Sequence, residues 1–361
     1  MKFFSSKEGS TERLIQLCLG YFVFYVITGV TVKYFTGSPE FGYPGMKDME
    51  FLVYSTIGGN AIALGVALAL RWYRLKSNGY VRWGPFRVPG ELLYIIPSGI
   101  CTAVVIPTTT LMYMLVPSVM VAMVIMRASV IIISRAVDAV QIKQGILLKT
   151  VYAEENIAVL FALLAASVNI FWVAPGDFDF VNSPAAVITL ASYIVAYSFR
   201  IYIMNYYKNT RAKGVQLDNN GFFAIEQISA TAVMLTAGIF LFRSFDLFGW
   251  TSPQVAIFRD AFLMPKPEWS WAILAGTAYG MVAFFSVFIF MFKGRTATFA
   301  GLVNRLTSLV AGTTATLLSA LAFHGRFPKT QDWVSLVFIL VAVGFLSRAE
   351  RKRTKELAGA V

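Results

Sequence analysis

Residues 124–133 read VIMRASVIII, an apolar run with one permanent positive charge, Arg127, set inside it. Such a run is either a membrane span or a strip of a soluble core, and the rest of the chain decides which. Of 361 residues, 57% are hydrophobic and 14% charged, whereas a soluble domain carries about 25% charged residues. Apolar runs of about 20 residues, the length that crosses a hydrocarbon core, recur from end to end with short polar breaks. The composition predicts an all-α integral membrane protein with little room for a separate soluble domain.

Ten spans are expected, at about 13 to 33, 50 to 70, 91 to 111, 117 to 138, 157 to 174, 185 to 206, 220 to 242, 269 to 292, 297 to 320 and 333 to 347. The first follows MKFFSSKEGSTER and is too long for a signal-peptide core, so it reads as retained. An even count puts both termini on one side, and Lys and Arg should then gather in alternate loops. They do: 21 of the 31 lie in loops on the N-terminal side and 7 on the other, with Arg127, Arg200 and Arg305 inside spans. Both termini are therefore expected in the cytoplasm, and the cell membrane is the expected location. The net charge of +12 is a topological signal, and no nucleic-acid partner is expected. Trp72 and Trp83 flank the most basic loop, and Trp250, Trp269, Trp271 and Trp333 stand near the outer edge, where interfacial anchors belong. The outer stretch 243–269 has room for a short helix lying on the membrane, and PGDFDFVNSP (175–184) reads as a turn-rich loop.

Setting VIMRASVIII beside LVNRLTSLVA (302–311) aligns Arg127 with Arg305, each inside a span and each followed by small or hydroxylated residues. The expected architecture is two five-helix halves, 1–174 and 175–361, the second ending in the basic tail SRAERKRTKELAGAV. Five spans per half make the halves run oppositely through the bilayer, a common way to build a carrier. Arg127 lies about 15 Å from the outer end of its span near Pro117, half the depth of a ~30 Å core, and Arg305 about 12 Å into its own. Arginine at such depth costs upwards of ~2.5 kcal/mol, so it faces a cavity, a ligand or an ion-pair partner. Glu226 in FFAIEQISA is the evident intramembrane carboxylate, and one carboxylate cannot neutralise three arginines. Arg200 lies near the cytoplasmic end of its span, where its stem can reach the headgroups. Asn60, Asn169, Asn304, Gln227 and Tyr279 add polar groups that line a cavity or join helices. Gly58, Gly59, Gly65, Gly276 and Gly280 permit close helix contact.

An enzyme is not expected. The single histidine, His324, stands in a loop, and no HExxH, GxSxG, P-loop or carboxylate cluster occurs. Cys18 and Cys101 lie inside apolar runs without metal-ligand spacing. No metal, cofactor or ATP site is expected.

The ten spans with cytoplasmic termini, the five-plus-five repeat and the segment TTTLMYMLVPSVMVAMVIMRASVIIISR (108–135) resemble the drug/metabolite transporter superfamily. The segment looks most like the branch of nucleotide-sugar and triose-phosphate translocators and chloroquine-resistance-type transporters, and FAGLVNRLTSLVAGTTATLL is similar to that branch's basic ninth-span segment. In triose-phosphate translocators that segment carries a Lys-Arg pair that binds phosphate; this chain keeps Arg305 and has Asn304 where the lysine would fall. After Arg135, VDAVQIKQGILLKTVYAEEN is longer than the family's usual connection. The resemblance implies an alternating-access carrier.

Three functions are compatible with these residues. The first is a secondary carrier whose cavity, lined by Arg127, Arg305, Asn304, Tyr279, Asn60 and Arg200, binds an anionic or polar metabolite bidentately through guanidinium groups. The second is proton-coupled efflux of a neutral or cationic compound, with Glu226 carrying the proton. The third is a membrane scaffold or lipid-binding protein whose basic tail attracts lipid or protein. A second copy of the chain is left open as a partner.

Overall fold

The computed structural model describes residues 9–115, 119–168, 179–323 and 327–359. Pro117, Asn169, His324, Arg326, residues 175–178 of the 175–184 loop, the side chain of Trp83 and the first residues with Lys2 and Lys7 lie outside the described residues. Each apolar run forms a helix, because a backbone in lipid must satisfy its own N–H and C=O groups. In chain order these are α1 (Thr11–Phe35), α2 (Asp48–Ala69), α3 (Leu92–Leu115), α4 (Val119–Lys143), α5 (Ala153–Ser167), α6 (Pro184–Asn209), α7 (Asn219–Phe248), α8 (Pro253–Leu263), α9 (Trp269–Phe290), α10 (Ala297–Phe323) and α11 (Thr330–Gly359). Among the described residues eight of them, all but α4, α5 and α8, are long and apolar enough to cross a membrane. The chain is a helical integral membrane protein. The α4 and α5 helices stand where the fourth and fifth spans are expected, and α8 lies in the stretch where a short outer helix is expected. It docks on α2, where the Tyr54 hydroxyl donates to the Ala261 carbonyl at 2.7 Å.

Local sequence sets the helix starts. The Ser10 and Ser183 hydroxyls accept from the backbone N–H of Arg13 and Ala186, and the Asp218 carboxylate from that of Gly221, each occupying an N–H that the first turn leaves unpaired.

The packing is interleaved. Helix α2 packs on α9, α3 on α6 and α7, α1 on α9 and α10, α4 on α6 and α10, and α5 on α11. The α2–α9 contact is the tightest, because glycines face each other across it. A methyl on Gly58 would meet the Ile273 carbonyl oxygen at 1.8 Å, and one on Gly276 the Ser55 carbonyl oxygen at 2.2 Å.

The loop between α2 and α3 adds a short hairpin to the otherwise helical chain: Tyr80–Trp83 (β1) and Phe86–Pro89 (β2) pair antiparallel across Gly84, whose φ of +59° suits a tight hairpin turn. Beside it the Glu91 carboxyl is pushed up by burial, but the Asn78 N–H, the Ser77 hydroxyl and Arg211 outweigh that and hold it below its ordinary range. Trp72, half-buried just past the end of α2, stacks on Phe284 at 5.9 Å. The basic tail is not free. Helix α11 continues through it, and Glu350 and Arg353 are buried at 7% and 3% exposure because both are tied to neighbouring helices.

Gly276→Ala is expected to force α2 and α9 apart and cost about 1–3 kcal/mol, read as a lower midpoint of thermal unfolding in detergent. Gly65→Ala, with open space around it, is expected to leave the midpoint unchanged or raise it.

Candidate functional site

Arg127 and Arg305 stand on α4 and α10, which pack against each other. Each of these helices also leans on a helix that carries two tyrosines one turn apart. The α1 helix, against α10, has Tyr21 and Tyr25, with ring centroids 5.5 Å apart and planes at 55°. The α6 helix, against α4, has Tyr193 and Tyr197, at 4.7 Å and 57°. The first tyrosine of each pair reaches the residue just before an arginine. The Tyr21 hydroxyl donates to Asn304 Oδ1 at 3.4 Å, and the Tyr193 hydroxyl to the Met126 carbonyl at 3.5 Å. Both bonds are long, and their sense is the same: the backbone or side chain next to each guanidinium stem is fixed to the tyrosine helix. Asn304 also donates to Ser286 Oγ of α9 at 2.9 Å.

The guanidinium of Arg305 lies over the Tyr197 ring, 5.2 Å from its centroid, and Tyr21 and Tyr193 are within its electrostatic reach. Tyr21 is within reach of both arginines. Arg127 Nη2 lies beside Gly312, where a methyl would stand 3.6 Å from it. Gly312 is two turns from Arg305, about 10 Å along α10. Arg127 Nη2 and Arg305 Nε are buried without a hydrogen-bond partner, although each side chain as a whole is only half-buried. Among the described residues, no carboxylate lies within 4.0 Å of either arginine. An orphaned buried donor costs about 1–3 kcal/mol, more when charged, so the fold holds both groups at an expense.

Arg200 does not reach for the headgroups. It is 5% exposed, and Glu226 is fully buried. Arg200 Nε and Nη2 donate to the two Glu226 carboxylate oxygens at 2.9 and 3.0 Å, and Ser98 and Thr102 of α3 donate to Oε1 at 2.6 and 3.2 Å. The pair joins α3, α6 and α7, and its hydrogen bonds are what make a buried ion pair tolerable. The one evident intramembrane carboxylate is thus taken by Arg200, leaving Arg127 and Arg305 uncompensated. Asn60 is placed apart from them as a tie between helices: its Oδ1 accepts from Thr231 of α7 at 2.8 Å, and its Nδ2 donates to the Thr56 carbonyl. The Tyr279 ring lies against Gly59 at the α2–α9 contact.

Below the site, at the end of the bundle where α1 begins and α11 ends, polar groups fasten the helices. Asp138 of α4 accepts from the Ala297 and Thr298 N–H groups at 2.8 and 2.6 Å, capping α10, and also from Asn205. Thr296 donates to Glu155 of α5 at 2.6 Å. Arg295 pairs with Glu350 of α11, which also accepts from Thr11 of α1, and Arg353 faces Glu155. Burial, and then the charges of Arg353, Arg295 and Lys293, push the Lys149 amine beside this cluster down to about 8. Among the described residues no group of three or more His, Cys, Asp or Glu side chains is placed to hold a metal ion.

Sequence reasoning passed over the four tyrosines and Asp138. The tyrosines carried a signal: Tyr193, Tyr197 and Arg200 fall at i, i+4 and i+7, one face of a helix. Asp138 carried none, since its partners are two backbone groups 159 and 160 positions away.

A solved crystal structure described only as that of a protein is similar to this chain, with a TM-score of 0.59 and 14% identity over 94% of this chain and 99% of the other. At that identity the likeness is one of fold alone. No protein-family model and no curated protein matches.

Glu226→Gln would leave the Arg200 charge without its counterion and is expected to cost about 3–5 kcal/mol, read by unfolding in detergent. Arg200→Met combined with Glu226→Leu is expected to recover most of that loss.

Proposed function

We propose that the protein is a secondary carrier of a small anionic metabolite, of the drug/metabolite-transporter type, which binds between Arg127 and Arg305. The observation that carries this is two half-buried guanidinium groups, each with one orphaned N–H donor and, among the described residues, no carboxylate, in a bundle where Arg200 is paired with Glu226. An oxyanion accepting those donors would supply both the charge and the acceptors.

The packing supports two inverted five-helix halves. Exchange α1 with α6, α2 with α7, α3 with α9, α4 with α10 and α5 with α11. The α2–α9 contact then becomes α7–α3, α1–α9 becomes α6–α3, and α1–α10 becomes α6–α4, while α4–α10 and α5–α11 map onto themselves; all of these contacts occur. On this reading α4 and α5 are the fourth and fifth of ten spans. The hydrogen bond from Thr11 to Glu350 at 2.9 Å brings the start of α1 beside α11, which supports termini on one side, and the distribution of Lys and Arg supports a cytoplasmic location for that side. The Asp138, Arg295 and Glu350 fastenings then close the cytoplasmic end, and the site is reached from outside. Alternating access requires those fastenings to open. Glu226 is a helix tie in this scheme and not a proton carrier.

Arg127→Gln and Arg305→Gln are each expected to abolish anion uptake into proteoliposomes, while the ligand-free protein unfolds at an equal or higher temperature. Removing a buried charge whose desolvation no protein carboxylate offsets is neutral or favourable, which is the signature of a group kept for function. A destabilised variant that still transports would refute the reading.

A further inference from the structure

Two strands with no third layer are marginally stable in water. The ribbon of β1 and β2 is such a pair, and among the described residues no helix packs along it. It is nevertheless held firmly at its root. The Gly90 N–H donates to the Gly79 carbonyl at 2.9 Å, Asn78 Nδ2 donates to the Thr210 carbonyl at 3.0 Å, and Arg211 pairs with Glu91 at 2.8 Å. The root therefore stands where α6 ends and α3 begins, at the ends of two helices long and apolar enough to cross a membrane. Beyond the root the apolar side chains are uncovered: Tyr80 is 66% and Phe86 71% exposed.

The register sorts the two faces. Arg82 stands directly opposite Arg87, and Val81 opposite Val88. Side chains alternate along a strand, so both arginines share one face while Val81, Phe86 and Val88 share the other. Like charges directly opposite each other destabilise a ribbon, and no neighbouring carboxylate relieves this pair. Among the described residues neither arginine has a carboxylate within 4.0 Å, and neither do the exposed Arg71 and Arg74 between α2 and the ribbon. The two carboxylates at the root are already engaged. Glu91 is taken by Arg211, Ser77 and Asn78, and Asp218 by the N–H groups of Lys76 and Gly221.

We infer that the ribbon docks on anionic phospholipid headgroups of the leaflet where α2 and α3 end, with a lipid phosphate shared between Arg82 and Arg87. Charge complementarity selects this occupant: four arginines without a counterion lie beside the ends of membrane spans, where an anionic surface attracts them. Geometry fits it too. Side chains directly opposite on a ribbon start about 5 Å apart, so both guanidinium groups reach one phosphate, whose oxygens each can take bidentately. The uncovered face with Val81 and Phe86 then sinks to the boundary of headgroups and acyl chains, as the apolar face of an interfacial helix does. A free phosphate would leave that face in water. The docking does not depend on what Arg127 and Arg305 bind.

The test is hydrogen–deuterium exchange over residues 80–89, read by mass spectrometry on the full-length protein in nanodiscs of phosphatidylcholine alone and of phosphatidylcholine with phosphatidylglycerol. Exchange is expected to be slower in the anionic bilayer, by up to roughly 30-fold if Arg82 and Arg87 each contribute about 5-fold. High salt is expected to remove the protection. Arg82→Gln combined with Arg87→Gln is expected to lose it as well, and because the change deletes a like-charge pair, the ribbon should persist in phosphatidylcholine. Equal exchange in the two bilayers would overturn the proposal and leave the face to an acidic partner protein. The same protection from inorganic phosphate in phosphatidylcholine nanodiscs would overturn it in favour of a free-anion site. Undiminished protection in the double variant would overturn the role of the pair. The salt dependence of the wild type decides the matter even where the variant loses the ribbon.

Discussion

A guanidinium in a low-dielectric bundle must find an anion, and at the depth of the spans this protein provides one carboxylate for three arginines. Glu226 goes to Arg200, with Ser98 and Thr102 completing its hydrogen bonds. The result is a rigid tie among α3, α6 and α7. Because that pair is closed, the other two arginines stay open, and their orphaned donors define the site. The distinction is energetic and not a matter of residue type: one arginine stabilises the bundle through its partner, and the other two burden it until something binds.

The rest of the molecule holds those two groups where they are. Glycine contacts bring α2 onto α9, the tyrosine helices α1 and α6 lean on the arginine helices, and Asp138 clips the start of α10 to the end of α4. The ties at the α1/α11 end are ionic and numerous, while higher up Arg127 Nη2 and Arg305 Nε are left unmet. The proposed carrier function uses that contrast: a fastened end that opens only when the ligand repays the broken contacts, and a site whose own bonds are incomplete without the ligand.

Much of this was legible in the chain. Hydropathy places most helices to within a few residues, although α7 and α11 run six and twelve residues past the expected span ends, and VIMRASVIII beside LVNRLTSLVA picks out Arg127 and Arg305. Arg200 was misjudged because its distance from the span end says nothing of the carboxylate on a helix that returns beside it. Asn60 was legible as a group that lines a cavity or joins helices, and its bond to Thr231 ties α2 to α7. The hairpin at 80–89 and the docked tail depend on Glu91, Glu155 and Glu350, whose partners are distant in sequence. The tyrosine pairs were readable by spacing, but only the fold reveals that both sit against the residue before an arginine.

The central claim is that Arg127 and Arg305 share one anion. An experimental density map of the purified protein soaked with a small oxyanion such as inorganic phosphate tests it most directly. Expected is a single density in contact with both Arg127 Nη2 and Arg305 Nε, with Arg200 still on Glu226. Guanidinium groups satisfied by a protein carboxylate or a lipid phosphate, with nothing bound between the tyrosine pairs, would contradict it.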